Sequence, residues 1–302
     1  MNQHILLTGA TGMLGKDLIK NLLERGDQVS LLSRKPQRIK DVKVFIWDVY
    51  KQEIDKSCLN GIDTIIHLAG ENISDGRWTE ERKKKIIDSR VMSAQLLFKT
   101  IAENVNQVKH FISAAAVGIY GDRANEVLTE ESPAGTGFMA ECCKEWEAAA
   151  DQGLALGLRV VKIRTGVVLS KDSGALPAMS KPVQFFAGAP LGKGTQYIPW
   201  IHHLDMTRVY LHLLDNQHLS GIYNATAPFP VTNKTLTKTI AKQLDRPVWP
   251  FNVPAGVLQL ILGEMSAVVI NSNNTSAEKL QSSGFIFKFD HIETALSDIY
   301  SA

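Results

Sequence analysis

The 302-residue sequence contains few cysteines and no long apolar run, and each lack excludes a class of protein. Three cysteines, two of them adjacent (Cys142 and Cys143), supply neither a disulfide framework nor the spacing of a metal site. The most apolar stretch, residues 254–270, is interrupted by Gln259 and Glu264 and is too short to cross a bilayer. The first residues also lack a signal-peptide pattern. We therefore expect a protein of the reducing cytoplasm.

The sequence also lacks an excess of charge of either sign. Its formal net charge is +2, which gives no electrostatic reason to expect a nucleic acid or a membrane as a partner. Clusters of histidines and carboxylates are missing too, so we expect no metal. With 44% hydrophobic and 21% charged residues, the chain has the composition of a globular protein with a substantial core.

What is present begins at residue 5, where a short apolar run leads into a turn of three regularly spaced glycines and then into a helical pattern. Gly9 permits the tight turn, Gly12 lets the backbone approach a diphosphate, and Gly15 allows close packing of the helix. A diphosphate placed there meets free N–H groups at the positive end of the helix. The strand, turn and helix together predict a dinucleotide site. Its contacts would come from Gly9, Thr11, Gly12, Met13, Leu14 and Gly15.

The end of the second predicted strand indicates which dinucleotide is bound. Proteins that prefer NAD usually carry an acidic residue there, which binds the ribose 2′-hydroxyl. This chain has Ser33, Arg34 and Lys35 instead. The planar guanidinium of Arg34 suits a 2′-phosphate, so Ser33 and Arg34 favour NADP(H), while Lys35 has the character of a solvated loop residue.

Predicted strands and helices alternate to about residue 165, which indicates an α/β protein with a parallel, doubly wound Rossmann sheet. Beyond Gly166 the pattern changes to glycine- and proline-rich loops with one short strand and further helices. We expect a dinucleotide-binding Rossmann domain over residues 1–245, with its core in 1–166 and substrate-side elements from 167, and a small C-terminal domain over 246–302.

The chain resembles the extended, atypical short-chain dehydrogenases/reductases of the sugar-nucleotide epimerase branch. More narrowly, it resembles the bacterial epimerase family proteins that carry a C-terminal domain of unknown function. The glycine turn is shared widely, whereas the Gly-Glu-Asn-Ile, Trp-Glu-Ala-Ala-Ala and Trp-Ile-His segments are more selective. These three segments begin at Gly70, Trp146 and Trp200.

The resemblance implies further cofactor contacts. Leu68, Ala69 and Gly70 would line the adenosine and diphosphate side, and Glu71 and Asn72 would lie near the nicotinamide half. Arg90 and Arg164 would contact cofactor or substrate. Their alternatives, left open by the sequence, are an exposed helix charge for Arg90 and a domain-bridging ion pair for Arg164.

Catalysis is where the chain departs from the family pattern. Active relatives use a Ser or Thr after the fifth strand and a Tyr-x-x-x-Lys on the next helix, which move a proton while hydride is transferred. Here the serine position matches Ala115, with Ser113 displaced. The tyrosine and lysine positions match Met139 and Cys143, or Ala140 and Lys144 after a slip of one residue. Neither alignment supplies the tyrosine.

Three residues are left as candidate proton donors or positioning groups, each with a structural alternative. Tyr120 is the tyrosine nearest the expected site, but relatives use it mainly as a structural and pocket residue. Cys143 could act as a thiol acid, although a helix cysteine is more often a buried hydrophobe. Lys144 could hold the ribose hydroxyls if the slipped alignment is right.

On the substrate side the sequence offers aromatic and imidazole groups. Trp78 and Asn72 follow the fourth strand, where extended relatives build pocket walls, and Trp200 and His202 belong to a segment that closes the pocket. Asp205 is predicted to cap the next helix. The substrate would be a small molecule, and its identity is not encoded in these residues.

Two functions from different classes remain open. The first is an NADP-dependent oxidoreductase or epimerase that acts on a small carbonyl or sugar-like substrate without the usual proton relay. The second is a non-catalytic NADP(H) binder that senses redox state or regulates a partner. A homodimer through the helices that flank the fifth strand is possible by analogy with relatives.

Overall fold

The computed structural model describes residues 3–301. The strands are β1 (His4–Thr8), β2 (Gln28–Ser33), β3 (Val42–Asp48), β4 (Glu53–Ile54), β5 (Thr64–His67), β6 (His110–Ala116), β7 (Val127–Leu128), β8 (Arg159–Thr165), β9 (Val167–Leu169), β10 (Tyr197–Ile198), β11 (Trp200–His202), β12 (Gly221–Ala225), β13 (Val231–Thr232) and β14 (Asn274–Thr275). The α-helices are α1 (Met13–Glu24), α2 (Glu80–Glu103), α3 (Phe138–Asp151), α4 (Leu176–Gln184), α5 (His203–Asp215), α6 (Asn233–Gln243), α7 (Ala255–Leu262), α8 (Ala267–Ile270), α9 (Glu278–Ser282) and α10 (Ile292–Ser301).

Eight strands form one sheet in the order β12-β8-β6-β5-β1-β2-β3-β4. All neighbouring pairs are parallel except β3 and β4. The chain starts in the middle of the sheet and winds outward in both directions, so the carboxyl ends of β1, β2, β5, β6 and β8 meet along one edge. The predicted doubly wound Rossmann sheet is confirmed.

The alternation of side chains along β1 explains why both faces of the sheet are covered. Ile5 and Leu7 point into a buried cluster with α1 and α5, whereas Leu6 points into a second cluster with α2 and α3. A parallel sheet with helices on both faces needs apolar residues on both faces, which the continuous run Ile5, Leu6 and Leu7 supplies.

The C-terminal part shares its buried side chains with the rest of the chain. Leu280 and Phe285 join the cluster of β1, α1 and α5. Phe289, Leu296 and Ile299 join a third cluster with Trp200 and residues of α6. The strand β14 pairs with β7, which links residues near 275 to the loop after β6.

The predictions differ from the structure mainly in the second half. Beyond Gly166, where one short strand was predicted, the described residues form the six short strands β9 to β14. The helices α4 and α10 were not predicted. In α4 the helical pattern is interrupted by Pro182, which lies inside the helix. None of the helices within residues 3–301 has the length and apolarity needed to cross a membrane.

Candidate cofactor and substrate site

The glycine turn between β1 and α1 has the backbone geometry that its sequence predicts. Gly9 has a φ of +69°, and a Cβ at this position would lie 2.7 Å from the carbonyl carbon of Leu68. A Cβ at Gly15 would lie 2.3 Å from Cα of Ala10. At Gly12, by contrast, the nearest atom to a Cβ would be the Gly9 oxygen at 3.6 Å. The protein itself therefore requires glycine at two of the three positions, and at the third it leaves an open approach.

This open approach leads to the positive end of α1. Gly12 is the N-cap of α1, and none of the side chains within residues 3–301 caps it. Thr11 and Gly12 are exposed, and Met13 and Leu14 are half-buried. The uncapped N–H groups and the helix dipole make this turn an anion site of the kind that binds a dinucleotide diphosphate.

A buried hydrogen-bond chain fixes the neighbouring carboxyl end of β5. The amides of Leu68 and Ala69 both donate to Thr8 Oγ1, at 3.1 Å each. Thr8 Oγ1 is also hydrogen-bonded to His67 Nδ1 (2.9 Å), and the Nε2 atom of His67 lies 3.0 Å from Ser93 Oγ. Burial lowers the pKa of His67 to about 3, so this imidazole is neutral and positions the Leu68–Ala69 backbone beside Gly9.

At the end of β2 the structure places the carboxylate of Glu71, which the sequence did not predict as a partner of Arg34. Arg34 Nη1 donates to Glu71 Oε1 at 3.0 Å, and Arg82 Nη1 donates to Glu71 Oε2 at 3.1 Å. Ser33 Oγ bonds the backbone of Lys35. Partial burial of Glu71 acts to raise the pKa of its carboxyl group, but the hydrogen bonds from Arg82 and Arg34 outweigh this and lower that pKa. Glu71 is thus in contact with the end of β2, whereas the resemblance predicts a place for it near the nicotinamide half of the cofactor.

Arg90 is a buried cation without a carboxylate partner among the described residues. Its guanidinium lies over the Trp146 ring at 4.7 Å, donates one hydrogen bond to the Ile86 carbonyl (2.8 Å), and would be 3.0 Å from a Cβ at Gly70. It is 8% exposed, so the alternative of an exposed helix charge does not describe it. A buried guanidinium without a counter-charge, at the carboxyl edge of β5, leaves room for an anionic ligand.

Arg164 and Tyr120, in contrast, belong to a closed network. Arg164 donates to both oxygens of Glu147 (2.7 and 3.0 Å), to Tyr120 Oη (2.9 Å) and to the Glu130 carbonyl (3.2 Å). Tyr120 Oη in turn donates to Asn224 Oδ1 at 2.7 Å. Burial acts to lower the pKa of Arg164, but the hydrogen bonds and the charge of Glu147 outweigh this and raise that pKa above its usual range. Four of the five N–H groups of Arg164 are thus used inside the protein, and its ion pair with Glu147 lies within residues 1–166 and does not bridge two domains.

The other two catalytic candidates are also engaged away from any reacting group. Cys143 is 1% exposed, and burial raises the pKa of its thiol. Lys144 lies on the outer face of α3, where its Nζ bonds Glu141 Oε1 at 2.6 Å. Ser113 is buried and donates to the Ala114 carbonyl, and Ala115 is buried beside it. These positions provide no free acid.

Met139, at the position where the family pattern has tyrosine, joins two apolar clusters. A Cβ at Gly118 would lie 3.1 Å from Met139 Cε and 3.7 Å from Cys143 Sγ, so both side chains pack on the Gly118 backbone. Met139 also contacts a cluster of Trp78, Ile86 and Cys142, which Met265 from the C-terminal part completes. The region where a proton donor is expected is therefore lined by apolar side chains.

The substrate candidates separate into two groups. Trp78 and Asn72 lie in the loop after β5: Trp78 Nε1 bonds the Ile73 carbonyl (2.8 Å), and Asn72 binds Asp75 (2.7 Å) within its own turn. Trp200 and His202 are fully buried in the second half of the chain. His202 stacks on Phe289 at 3.9 Å, and burial lowers its pKa to about 4. A substrate contact by Trp200 or His202 would require that core to open.

The cap of α5 differs from the prediction. His202 Nδ1 accepts from the Leu204 amide and is the N-cap, whereas Asp205 was predicted to cap this helix. Asp205 instead accepts from the amides of Lys288 and Phe289 and from Arg208, which anchors the C-terminal segment to α5. The prediction was wrong because the two amides that Asp205 binds, those of Lys288 and Phe289, lie more than 80 residues away in sequence.

Sequence reasoning missed Arg82 and the C-terminal contacts with the Trp78 loop. Arg77 Nη2 donates to the Leu260 and Ile261 carbonyls, and Lys83 pairs with Glu264 at 2.7 Å. A signal for Arg82 was available, since a cation in the first turn of a helix opposes the dipole and needs a local reason. No signal for the C-terminal contacts was available in the local sequence. Within residues 3–301, no three His, Cys, Asp or Glu side chains lie together as metal ligands.

Two families match the sequence. Residues 5–226 match the NAD dependent epimerase/dehydratase family, and residues 253–299 match a domain of unknown function, DUF1731. The chain is 34% identical over 300 residues to epimerase family protein SSP1921 of Staphylococcus saprophyticus, which covers 98% of this chain and 99% of that protein. It is 36% identical to the chloroplastic epimerase family protein SDR39U1 homolog of Arabidopsis thaliana, over 98% of this chain and 86% of that protein.

Solved structures show the same relationship. The crystal structure of human epimerase family protein SDR39U1 (isoform 2) with NADPH superposes with a TM-score of 0.88 at 29% identity, over 99% of both chains. UDP-glucose 4-epimerase of Thermus thermophilus, in complex with NAD, superposes with a TM-score of 0.76 at 18% identity, which shows a common fold alone.

Proposed function

The chain belongs to the NAD dependent epimerase/dehydratase family, and from this premise we propose that it binds NADP(H) at the turn between β1 and α1. It would use the cofactor to oxidise, reduce or epimerise a small carbonyl or sugar-like substrate, without the Ser and Tyr-x-x-x-Lys relay. Family membership confirms the resemblance seen in the sequence. The cofactor form, the substrate and the catalytic residues are the proposal.

The observation that carries the proposal is the contrast within the glycine turn. Gly9 and Gly15 are glycine because the protein's own backbone fills the space, whereas Gly12 leaves a gap at an uncapped helix N-terminus. A diphosphate fits that gap, because it needs close approach to backbone and to free N–H groups. That human SDR39U1 crystallised with NADPH supports the same cofactor for this chain.

The remaining cofactor contacts follow from the neighbouring strands. Arg34, 70% exposed at the end of β2, would bind the 2′-phosphate, with Ser33 beside it. The backbone of Leu68, Ala69 and Gly70 would line the adenosine and diphosphate side, and the unpaired guanidinium of Arg90 would face the diphosphate. Bound NADPH would supply a hydride from its nicotinamide ring.

A second candidate, a non-catalytic NADP(H) binder, is favoured by the state of the catalytic candidates. The hydroxyl of Tyr120 is held by Arg164 and Asn224, the Cys143 thiol is buried, and Lys144 forms a surface ion pair. The enzyme candidate is supported by the apolar cluster that Trp78 forms with Met139 and Met265, because a protein that only binds cofactor does not need such a cluster beside its site. Turnover decides between the two candidates.

The test is a titration followed by an activity screen. Calorimetry should show NADPH and NADP⁺ binding more tightly than NADH and NAD⁺. Purified protein with NADPH and a carbonyl library should then show loss of nicotinamide absorbance for at least one compound. Absence of heat with all four dinucleotides contradicts the whole proposal. Tight NADPH binding without turnover across the library supports the non-catalytic binder instead.

Three further assignments complete the proposal. The three cysteines are free and buried, which suits a reducing compartment such as the cytoplasm. The segment 246–302 would act as a small domain that covers the Trp78 loop through Arg77, Lys83 and Met265. A homodimer through α2 and α3 would have to join their charged outer faces, and light scattering on the purified protein measures whether one forms.

A further inference from the structure

We propose that Glu71 and Arg82 together set the preference for the phosphorylated cofactor, by controlling the charge that surrounds Arg34. This inference rests on the proposed binding of NADP(H). Its starting point is that one carboxylate holds two guanidinium groups: Oε1 accepts from Arg34 at 3.0 Å and Oε2 from Arg82 at 3.1 Å. The three side chains come from three elements, which local sequence does not connect.

The Arg34–Glu71 ion pair lies where the adenosine part of a bound dinucleotide would be placed. Arg34 follows β2 and Glu71 follows β5, and these strands pair with β1 on its two opposite sides. Their ion pair therefore spans the carboxyl end of β1, where the glycine turn begins. A dinucleotide whose diphosphate lies on that turn brings its adenosine ribose next to this pair.

The two arginines differ in how tightly they are held. Arg82 is 17% exposed, donates to the Asn72 carbonyl at 2.5 Å as well as to Glu71, and has a buried Nε without a partner among the described residues. Arg34 is 70% exposed and bonds Glu71 through one nitrogen. Arg34 is thus free to turn toward a phosphate, while Arg82 stays with Glu71.

The charge balance then explains how a carboxylate can stand beside a 2′-phosphate. An acidic residue next to the adenosine ribose is the feature that normally selects NAD, since it accepts the 2′-hydroxyl and repels a phosphate. Here Arg82 neutralises Glu71, so that the guanidinium of Arg34 is left for the phosphate. Asp88 and Lys85 are further charged groups near this cluster, and the uncharged phenol of Tyr50 lies there too, with a pKa that partial burial and Glu71 raise.

Two single variants test the inference in opposite directions. In Arg82→Gln, Glu71 loses its neutralising partner, so the ratio of the NADH to the NADPH dissociation constant should fall about tenfold, through weaker NADPH binding. In Glu71→Gln, Arg34 loses its competing carboxylate, so the same ratio should rise severalfold. The double variant should return toward the wild-type ratio, because both the carboxylate and its partner are gone. Fluorescence titration with NADPH and with NADH measures all of these constants.

Lys84→Gln is the matched control, because it removes a cation from the same helix, where Lys84 pairs with Asp88. It should leave the ratio unchanged. An Arg82→Gln protein that binds both dinucleotides equally less well, or a Glu71→Gln protein with a lowered ratio, overturns the inference. If Arg82→Gln does not fold, the direction of the Glu71→Gln change alone decides. A wild-type protein that binds neither dinucleotide refutes the proposed function itself, which is a different result from an unchanged ratio.

Discussion

The cofactor end and the reaction end of the candidate site consist of different kinds of groups. The cofactor end consists of backbone: the glycine turn, the uncapped N-terminus of α1 and the Leu68–Ala69 amides held by Thr8. The reaction end consists of side chains that are already committed, since Tyr120 and Arg164 bond each other and Met139 and Cys143 are packed. The uncapped N–H groups at the first end can still bind a ligand, whereas the side chains of the closed network already have their hydrogen-bond partners. The proposed function assigns cofactor binding to the first end, whereas the contacts at the second end stabilise the fold.

The largest effect that would test this contrast is expected at Glu147. Glu147→Gln leaves Arg164 as a buried cation without a counter-charge, which costs about 3–5 kcal/mol in the free energy of unfolding. Binding of NADPH under native conditions should change little. Urea titration measures the first quantity and calorimetry the second.

Glu141→Gln is the control, because it makes the same change on the same helix in an exposed ion pair with Lys144. It should alter the free energy of unfolding by no more than about 0.5 kcal/mol. If Glu147→Gln instead abolishes NADPH binding while the protein remains stable, Arg164 belongs to the cofactor site, and the contrast between the two ends fails.

The glycines give the next largest effect, and they separate stability from binding. Gly15→Ala places a Cβ 2.3 Å from the Ala10 backbone and should cost about 3 kcal/mol in the free energy of unfolding. Gly12→Ala has its nearest neighbour at 3.6 Å, so stability should be kept while NADPH binds at least about tenfold more weakly. Thermal unfolding and calorimetry on both variants check this. Equal loss of stability in the two variants would show that Gly12 is structural as well.

A third effect is expected on the pH dependence of the free energy of unfolding, and it concerns the buried His202. Burial lowers the pKa of His202 to about 4 in the folded protein, against an ordinary value near 6.5. The unfolded chain takes up a proton first as the pH falls below about 6.5, so this histidine's contribution is complete above that pH and is lost toward pH 4. At pH 5 the loss is about 2 kcal/mol.

The matching variant is His202→Asn, because asparagine also caps helices but does not titrate. Its free energy of unfolding should fall less steeply than that of the wild type between about pH 7 and pH 5. Urea titrations at both pH values measure the difference. An unchanged slope would mean that His202 has the same pKa in the folded and the unfolded protein, with Asp298 at 3.4 Å offsetting the effect of burial.

The contrast between the two ends also explains what could be predicted from sequence. The doubly wound sheet follows from the alternation of strands and helices, and the glycine turn follows from a few consecutive residues, so local patterns predict both. Arg34 was placed correctly at the end of its strand, but its carboxylate partner Glu71 lies 37 residues away, and local sequence did not predict this contact. Tyr120 is held by Asn224, 104 residues away, which no local pattern indicates.

The C-terminal part shows the same limit more strongly. Its residues 258–265 are an apolar stretch in sequence, which indicates burial but not against what. In the structure only some of these side chains are buried, and the contacts with the Trp78 loop are made by two backbone carbonyls, a glutamate and Met265. Backbone carbonyls carry no sequence signal. The position of this segment therefore depends on the three-dimensional arrangement of the loop after β5.

The smallest effect concerns a single hydroxyl, and it is the sharpest test of the reaction end. Tyr120→Phe removes the group that joins Arg164 to Asn224 and leaves both partially unsatisfied, which should cost about 1–2 kcal/mol in the free energy of unfolding. Tyr210→Phe is the matched control, because the Tyr210 hydroxyl is buried without a hydrogen-bond partner among the described residues, so its removal should be neutral or stabilising. Neither change should affect NADPH binding. If turnover of any carbonyl compound is found and Tyr120→Phe alone abolishes it at unchanged stability, Tyr120 is the proton donor, and the network around it serves to hold a reactive phenol.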